Sequence, residues 1–167
     1  SSAASDVYKR QIFVHPNFNT GDHDPEVVTI TRNPGDTKIV GEEWHTDTTM
    51  MAEPPMGALL YALDVPPYGG DTLFANQYLA YEALSDGMKC MLSRMRAVYS
   101  DASLGDRNKG RALKVKAGYE DREIYESVHP AVRTHPETGR KSLFVHKPYT
   151  IRFENMNVAE SRPLLEY

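Results

Sequence analysis

Short hydrophobic stretches separated by proline- and glycine-rich turns run along most of the chain. Many alternate apolar and polar side chains or are rich in β-branched residues, which is the pattern of β-strands. The predicted strands cover residues 11–15, 26–31, 44–48, 57–63, 72–74 and 96–100. Two more, 129–135 and 141–145, flank the turn sequence PETG and predict a β-hairpin. The 57–63 stretch is apolar throughout, so we expect it to be buried on both faces.

Three other segments have different patterns. Residues 77–95 carry apolar side chains at intervals of three and four, which predicts one helix with a methionine-rich buried side. Asn157 is expected to cap a helix that continues to the end of the sequence. Residues 101–126 are polar with few apolar anchors, and they predict a long loop or lid.

This order of elements predicts a mainly β fold with helical decoration, in the α+β class. Many short strands with proline and glycine turns are typical of a barrel or a jelly roll. A chain of 167 residues is long enough for one domain with a substantial core.

Composition narrows the function classes. The net charge is −4 and the isoelectric point is near 5.9, and no basic stripe with interleaved aromatic residues occurs, which argues against nucleic-acid binding. No apolar run approaches the roughly eighteen residues of a membrane span. The single cysteine, Cys90, lies in a helical pattern and is expected to be buried. One cysteine and no signal peptide favour a reducing, cytoplasmic location.

Both ends of the sequence look unlike the ends of a natural domain. Residues 1–10 begin without methionine, in a run of small residues, and are interpreted as a linker or non-native segment. The sequence stops at Tyr167 inside the predicted helix. We therefore expect residues 11–167 to be the N-terminal and central part of one domain whose C-terminal part is missing.

The pair His45 and Asp47 is the most informative chemical feature. On a strand, residues two apart point to the same face, so this imidazole and this carboxylate would converge. They would supply two ligands of the 2-His-1-carboxylate triad that holds ferrous iron. A His-x-Asp pair alone is a weak signal, because a surface histidine bonded to a nearby aspartate has the same sequence.

Four segments together resemble the TauD/TfdA family, the taurine-dioxygenase-like oxygenases that depend on Fe(II) and 2-oxoglutarate. Their order and spacing match the family from about His15 to the end of the chain. The segments are WHTD at 44–47, GGDTL at 69–73, AYEALS at 80–85 and HPAVRTHPETG at 129–139.

The resemblance implies a fold and a set of site residues. The fold would be a partial double-stranded β-helix, a jelly-roll variant. His45 and Asp47 would bind iron, and Thr72 would donate a hydrogen bond to the distal carboxylate of 2-oxoglutarate. The third iron ligand, a histidine, and an arginine for 2-oxoglutarate would lie beyond Tyr167. The 167 residues alone are therefore expected to be inactive.

The implied reaction uses O2 and 2-oxoglutarate to hydroxylate a small anionic substrate. Taurine or a related alkylsulfonate, which would release sulfite, is the first candidate. His15 and Ser103 match substrate-contacting positions of the taurine-using relatives. However, Phe18 replaces a tyrosine and Gly41 replaces an asparagine, so polar contacts to a sulfonate are lost.

Two alternatives stay open. The same chemistry could act on an aryloxyalkanoate, an alkyl sulfate or another carboxylate, as Phe18 and Gly41 suggest. The chain could also be a non-catalytic jelly-roll binding module, although it keeps His45, Asp47 and Thr72 together. His129, His135 and His146 are not expected to be iron ligands. The sequence leaves the oligomeric state open, with a homo-oligomer as one option.

Overall fold

A computed structural model describes residues 13–16, 26–31, 35, 41–102 and 123–167. The chain divides into two compact units. The first comprises residues 1–40 and 104–123, and its described residues lie in neither helix nor strand. The second comprises residues 41–103 and 124–167 and contains every helix and strand given below.

The centre of the second unit is a three-stranded antiparallel sheet in the order β2-β1-β5. Strand β1 spans Arg96–Ser100, β2 spans Glu126–Pro130 and β5 spans Thr150–Phe153. The last four residues of β1 are all buried, so both faces of this strand are covered. The predicted strand at 96–100 is confirmed.

A hairpin follows β2. Strands β3 (Val132–Thr134) and β4 (Lys141–Leu143) pair antiparallel around a turn at 136–138. Gly139 has a φ of +68°, a value that glycine adopts without steric cost. The predicted hairpin is confirmed, except that residues 129 and 130 belong to β2 and pair with β1 instead.

The predicted helix at 77–95 is two helices, α1 (Gln77–Glu82) and α2 (Asp86–Leu92). The break occurs because Ser85 is extended and its side chain accepts a hydrogen bond from the backbone N–H of Met88, which starts a new helix. The expectation of a buried Cys90 was wrong, since this residue lies on the exposed side of α2.

Helix α3 spans Val158–Glu166 and begins as the sequence predicts. The Asn157 side chain accepts from the backbone N–H of Glu160, whose carboxylate accepts from the backbone N–H of Asn157. Ser161 joins this helix to the sheet, because its hydroxyl accepts from the Phe153 backbone N–H and donates to the Asn157 carbonyl.

The hydrophobic core lies between the sheet, the hairpin and the helices. Its buried members come from α2, from three strands and from the residues that adjoin them: Leu92, Ala97, Tyr99, Ala131, Val132, Phe144 and Phe153. No described helix is both long enough and apolar enough to cross a membrane.

Several predicted strands are wrong. The described residues of 11–15, and all of 26–31, 44–48, 57–63 and 72–74, are not in strands. The apolar 57–63 stretch, expected to be buried, is exposed, and the side chain of Leu59 is 96% accessible. A strand needs a hydrogen-bonded neighbour, and none of the described residues pairs with these segments.

Candidate metal centre

The structure brings His45 and Asp47 together. Nε2 of His45 lies 3.1 Å from Oδ1 of Asp47. The reason differs from the one that the sequence suggested, because residues 44–46 are irregular and 47–50 form a turn rather than a strand. Thr48 adopts a φ of +52°, in the left-handed region. The turn, and not strand alternation, sets the two side chains on one side.

The backbone orients the imidazole of His45. Its Nδ1 lies 2.6 Å from the carbonyl oxygen of Glu43. A carbonyl can only accept a hydrogen bond, so Nδ1 carries the hydrogen and donates it. In the neutral ring, Nε2 then has a free lone pair directed at the Asp47 side. This is the common arrangement for a metal-binding histidine, whose second nitrogen donates to a backbone carbonyl.

The charges around the pair favour a cation. The hydrogen bond that protonated His45 donates to Asp47 raises the pKa of His45 above 6.5, assisted by the bond to the Glu43 carbonyl and opposed by partial burial. A proton therefore stabilises the pair, and a metal ion would replace that proton. Neutral imidazole nitrogen and carboxylate oxygen are both ligands that iron accepts.

The separation of the two donor atoms fits a metal ion. Ligand bonds of about 2.1 Å at right angles place neighbouring donors about 3.0 Å apart, close to the observed 3.1 Å. His45 and Asp47 thus fit adjacent coordination positions. Within residues 41–102 and 123–167, no cluster of three or more histidine, cysteine, aspartate or glutamate residues could hold a metal ion. Among the described residues, His45 and Asp47 are therefore a pair of donor groups and not part of a larger cluster.

Gly41 lies against the same imidazole. A Cβ built at Gly41 would lie 3.4 Å from Cε1 of His45, and the residue has a φ of +77°. A side chain at this position would contact the imidazole and strain the backbone. Glycine at position 41 therefore leaves the His45 ring in place without backbone strain.

His146, a partly buried histidine that was not expected to be a ligand, lies beside the pair. The ring of His146 packs against Tyr149, whose ring in turn lies 6.4 Å from that of His45. Burial lowers the pKa of His146 to about 4, and repulsion from His45 adds to this effect. His146 is thus a neutral neighbour at ordinary pH. The sequence gives no sign that His146 lies close to His45, because 101 positions separate the two residues along the chain.

The other predicted site residues remain predictions. Thr72 is exposed in a segment without regular structure. His15 lies in the first unit, where its ring meets the edge of Phe13 at a centroid distance of 6.0 Å. Ser103 and Phe18 lie outside the described residues.

Comparisons with known proteins identify the family to which the chain is similar. The sequence matches the family model "Taurine catabolism dioxygenase TauD, TfdA family" over residues 2–167. It is 35% identical over 127 residues to an (S)-phenoxypropionate/alpha-ketoglutarate-dioxygenase of Sphingobium herbicidovorans, covering 74% of this chain and 44% of the relative. It is 30% identical over 125 residues to an alpha-ketoglutarate-dependent sulfate ester dioxygenase of Pseudomonas putida, covering 72% and 41%.

The fold has similar neighbours among solved structures. A taurine dioxygenase from Burkholderia xenovorans superposes with a TM-score of 0.59 at 32% identity, covering 75% of this chain and 39% of that one. The chain spans between 30% and 44% of the length of three curated relatives that it matches. With the family model matched over nearly its whole length, the chain belongs to the TauD/TfdA family of taurine catabolism dioxygenases.

Proposed function

We propose that the chain carries two of the iron ligands of an Fe(II)- and 2-oxoglutarate-dependent dioxygenase, which uses O2 to hydroxylate a small anionic organic substrate. The observation that carries this proposal is the 3.1 Å separation of His45 Nε2 and Asp47 Oδ1, with the other ring nitrogen bonded to the backbone. Family membership supports the choice of iron over other metals.

The roles of the residues follow from their chemistry. When bound, ferrous iron and 2-oxoglutarate would activate O2, the oxidant, so that oxidation of 2-oxoglutarate to succinate and CO2 accompanies hydroxylation of a carbon–hydrogen bond of the substrate. His45 would bind through Nε2 while the Glu43 carbonyl fixes the ring plane. Asp47 would neutralise part of the metal charge. Thr72 would donate a hydrogen bond to the far carboxylate of 2-oxoglutarate, while a further histidine and an arginine complete the site.

Taurine or another alkylsulfonate, with release of sulfite, is the substrate class that we place first. The solved taurine dioxygenase supports this choice by its similarity. His15 and Ser103 would be substrate contacts. The proposed fold of the whole domain is the double-stranded β-helix, and we propose a cytoplasmic protein without nucleic-acid or membrane partners. A homo-oligomer is compatible with this proposal.

A second substrate class has its own support. Gly41 offers no polar side chain at a position that contacts the His45 ring, so one donor to a sulfonate is absent. The similar proteins from Sphingobium herbicidovorans and Pseudomonas putida are named for a phenoxypropionate and for sulfate esters. An aryloxyalkanoate, an alkyl sulfate or another carboxylate is therefore the alternative.

A substrate panel tests the proposal in the protein as its gene encodes it. Taurine, an alkyl sulfate and an aryloxypropionate are each supplied with Fe(II), 2-oxoglutarate and O2, and succinate and sulfite are measured. We expect substrate-dependent succinate with at least one compound, sulfite only with taurine, and neither product from His45→Ala. A folded protein that binds these anions but forms no succinate with any of them would instead support the non-catalytic binding module.

A further inference from the structure

His45 and Asp47, the two residues proposed to bind iron, are called the metal pair below. The turn that follows them is buried and strained. It runs from Thr48 to Met51, and the Met51 N–H donates to the Thr48 carbonyl at 3.0 Å. Thr48, Thr49 and Met50 are all buried. A β-branched residue such as Thr48, with a φ of +52°, keeps this conformation only when its surroundings hold it.

Three side chains hold the turn from outside. The Ser127 hydroxyl donates to the Thr49 carbonyl at 2.9 Å. Nε2 of His129 lies 2.9 Å from the Met51 carbonyl, and since a carbonyl only accepts, Nε2 carries the hydrogen. Nε2 of His146 and the Thr49 hydroxyl share a hydrogen bond of 3.1 Å.

These three side chains come from distant parts of the chain. Ser127 and His129 lie on β2, and His146 follows β4, so the contacts join residues 78 to 97 positions apart. Tyr99, at the centre of the sheet, packs its ring against both histidines, at centroid distances of 5.4 and 5.8 Å. The turn is therefore attached to the most buried strand of the unit.

We propose that Ser127, His129 and His146 are positioning residues for the metal pair. Asp47 is the first residue of the turn at 47–50, so loosening the turn would release the backbone conformation of Asp47, which directs its carboxylate relative to His45. By fixing the turn, the three side chains keep the donor atoms at the separation that a metal ion requires. This inference rests on the proposed iron function, and it assigns to His129, in the HPAVRTHPETG segment, and to His146 a role other than ligation.

The test measures the Fe(II) dissociation constant by anaerobic titration of the protein as its gene encodes it. His129→Phe keeps a ring against Tyr99 but removes the donor, whereas His129→Gln restores an N–H near the same place. His135→Phe is the matched control, because the hydrogen bonds that the structure gives for the His135 side chain lie within the hairpin turn, where its Nδ1 accepts from the backbone N–H groups of Glu137 and Thr138. Urea unfolding of each variant separates folding from metal binding.

We expect His129→Phe to weaken Fe(II) binding about 10- to 100-fold. His129→Gln should recover most of the lost Fe(II) affinity, and His135→Phe should bind Fe(II) as the parent does. Ser127→Ala should weaken binding by less, and it decides the question if His129→Phe does not fold. Folded Phe and Ala variants with parental affinity would overturn the inference, provided that His45→Ala abolishes binding. If His45→Ala leaves the affinity unchanged, the proposed iron site itself fails.

Discussion

The partly buried imidazole of His146 makes the stability of the fold depend on pH. Its pKa is about 4 in the folded protein because burial and the nearby His45 disfavour the charged ring, against 6.5 as the ordinary value. Between about pH 4 and pH 6.5 the imidazole of His146 binds a proton in the unfolded chain but not in the folded chain. Unfolding is therefore favoured as the pH falls from 6.5 toward 4, and this contribution is constant above 6.5.

The size of the effect follows from the gap between the two pKa values. At about 1.4 kcal/mol for each pH unit, the gap corresponds to a loss of about 3 kcal/mol in the free energy of unfolding across that range. His146→Asn replaces the imidazole with a neutral side chain. We expect this variant to lose about 3 kcal/mol less than the parent over the same interval.

The assay is urea unfolding at a series of values from about pH 4.5 to about pH 7, where most of the difference is expressed. Ser142→Ala serves as control, because it removes a partly exposed hydroxyl on the hairpin without removing a titrating group. It should shift all free energies equally and leave their pH dependence unchanged. Parallel pH profiles for the parent and His146→Asn would refute the reasoning.

Three further predictions concern packing, capping and the metal pair. Phe153→Ala should lower the free energy of unfolding by about 3–5 kcal/mol, since this ring is 1% accessible in the core. Urea unfolding measures this change, and a loss below about 1 kcal/mol would contradict the assigned burial. Asn157→Ala should cost about 1 kcal/mol through the lost cap of α3, measured in the same way, and an unchanged stability would contradict the capping box. Gly41→Ala should lower the free energy of unfolding by about 1–2 kcal/mol because of the positive φ at this position. It should also weaken Fe(II) binding, because the new methyl group contacts the His45 ring. An unchanged Fe(II) affinity would contradict this second expectation.

The sequence correctly predicted the elements that depend on residues close together in the chain. The capping pair Asn157 and Glu160 is three residues apart, so the start of α3 can be read directly. The PETG turn and its alternating flanks likewise predict the hairpin. The break between α1 and α2 was missed because the apolar spacing of 77–95 continues through Ser85, whose capping bond depends on its own backbone conformation.

The predicted strands at 44–48 and 57–63 failed for a different reason. An apolar or alternating pattern shows only which side chains would suit a strand, while the strand itself requires a neighbour that pairs with it. The proximity of His45 and Asp47 was anticipated, although a turn produces it. The contacts of Ser127, His129 and His146 with that turn could not be anticipated, because they span 78 to 97 positions.

The most direct test of the account is a crystal structure of the protein, as its gene encodes it, grown with Fe(II) in the absence of oxygen. Anomalous scattering at the iron edge locates the ion independently of any activity. We expect one iron peak within about 2.2 Å of both His45 Nε2 and Asp47 Oδ1, with Nδ1 of His45 still donating to Glu43. Iron bound elsewhere, with His45 and Asp47 still joined by their direct hydrogen bond, would contradict the account.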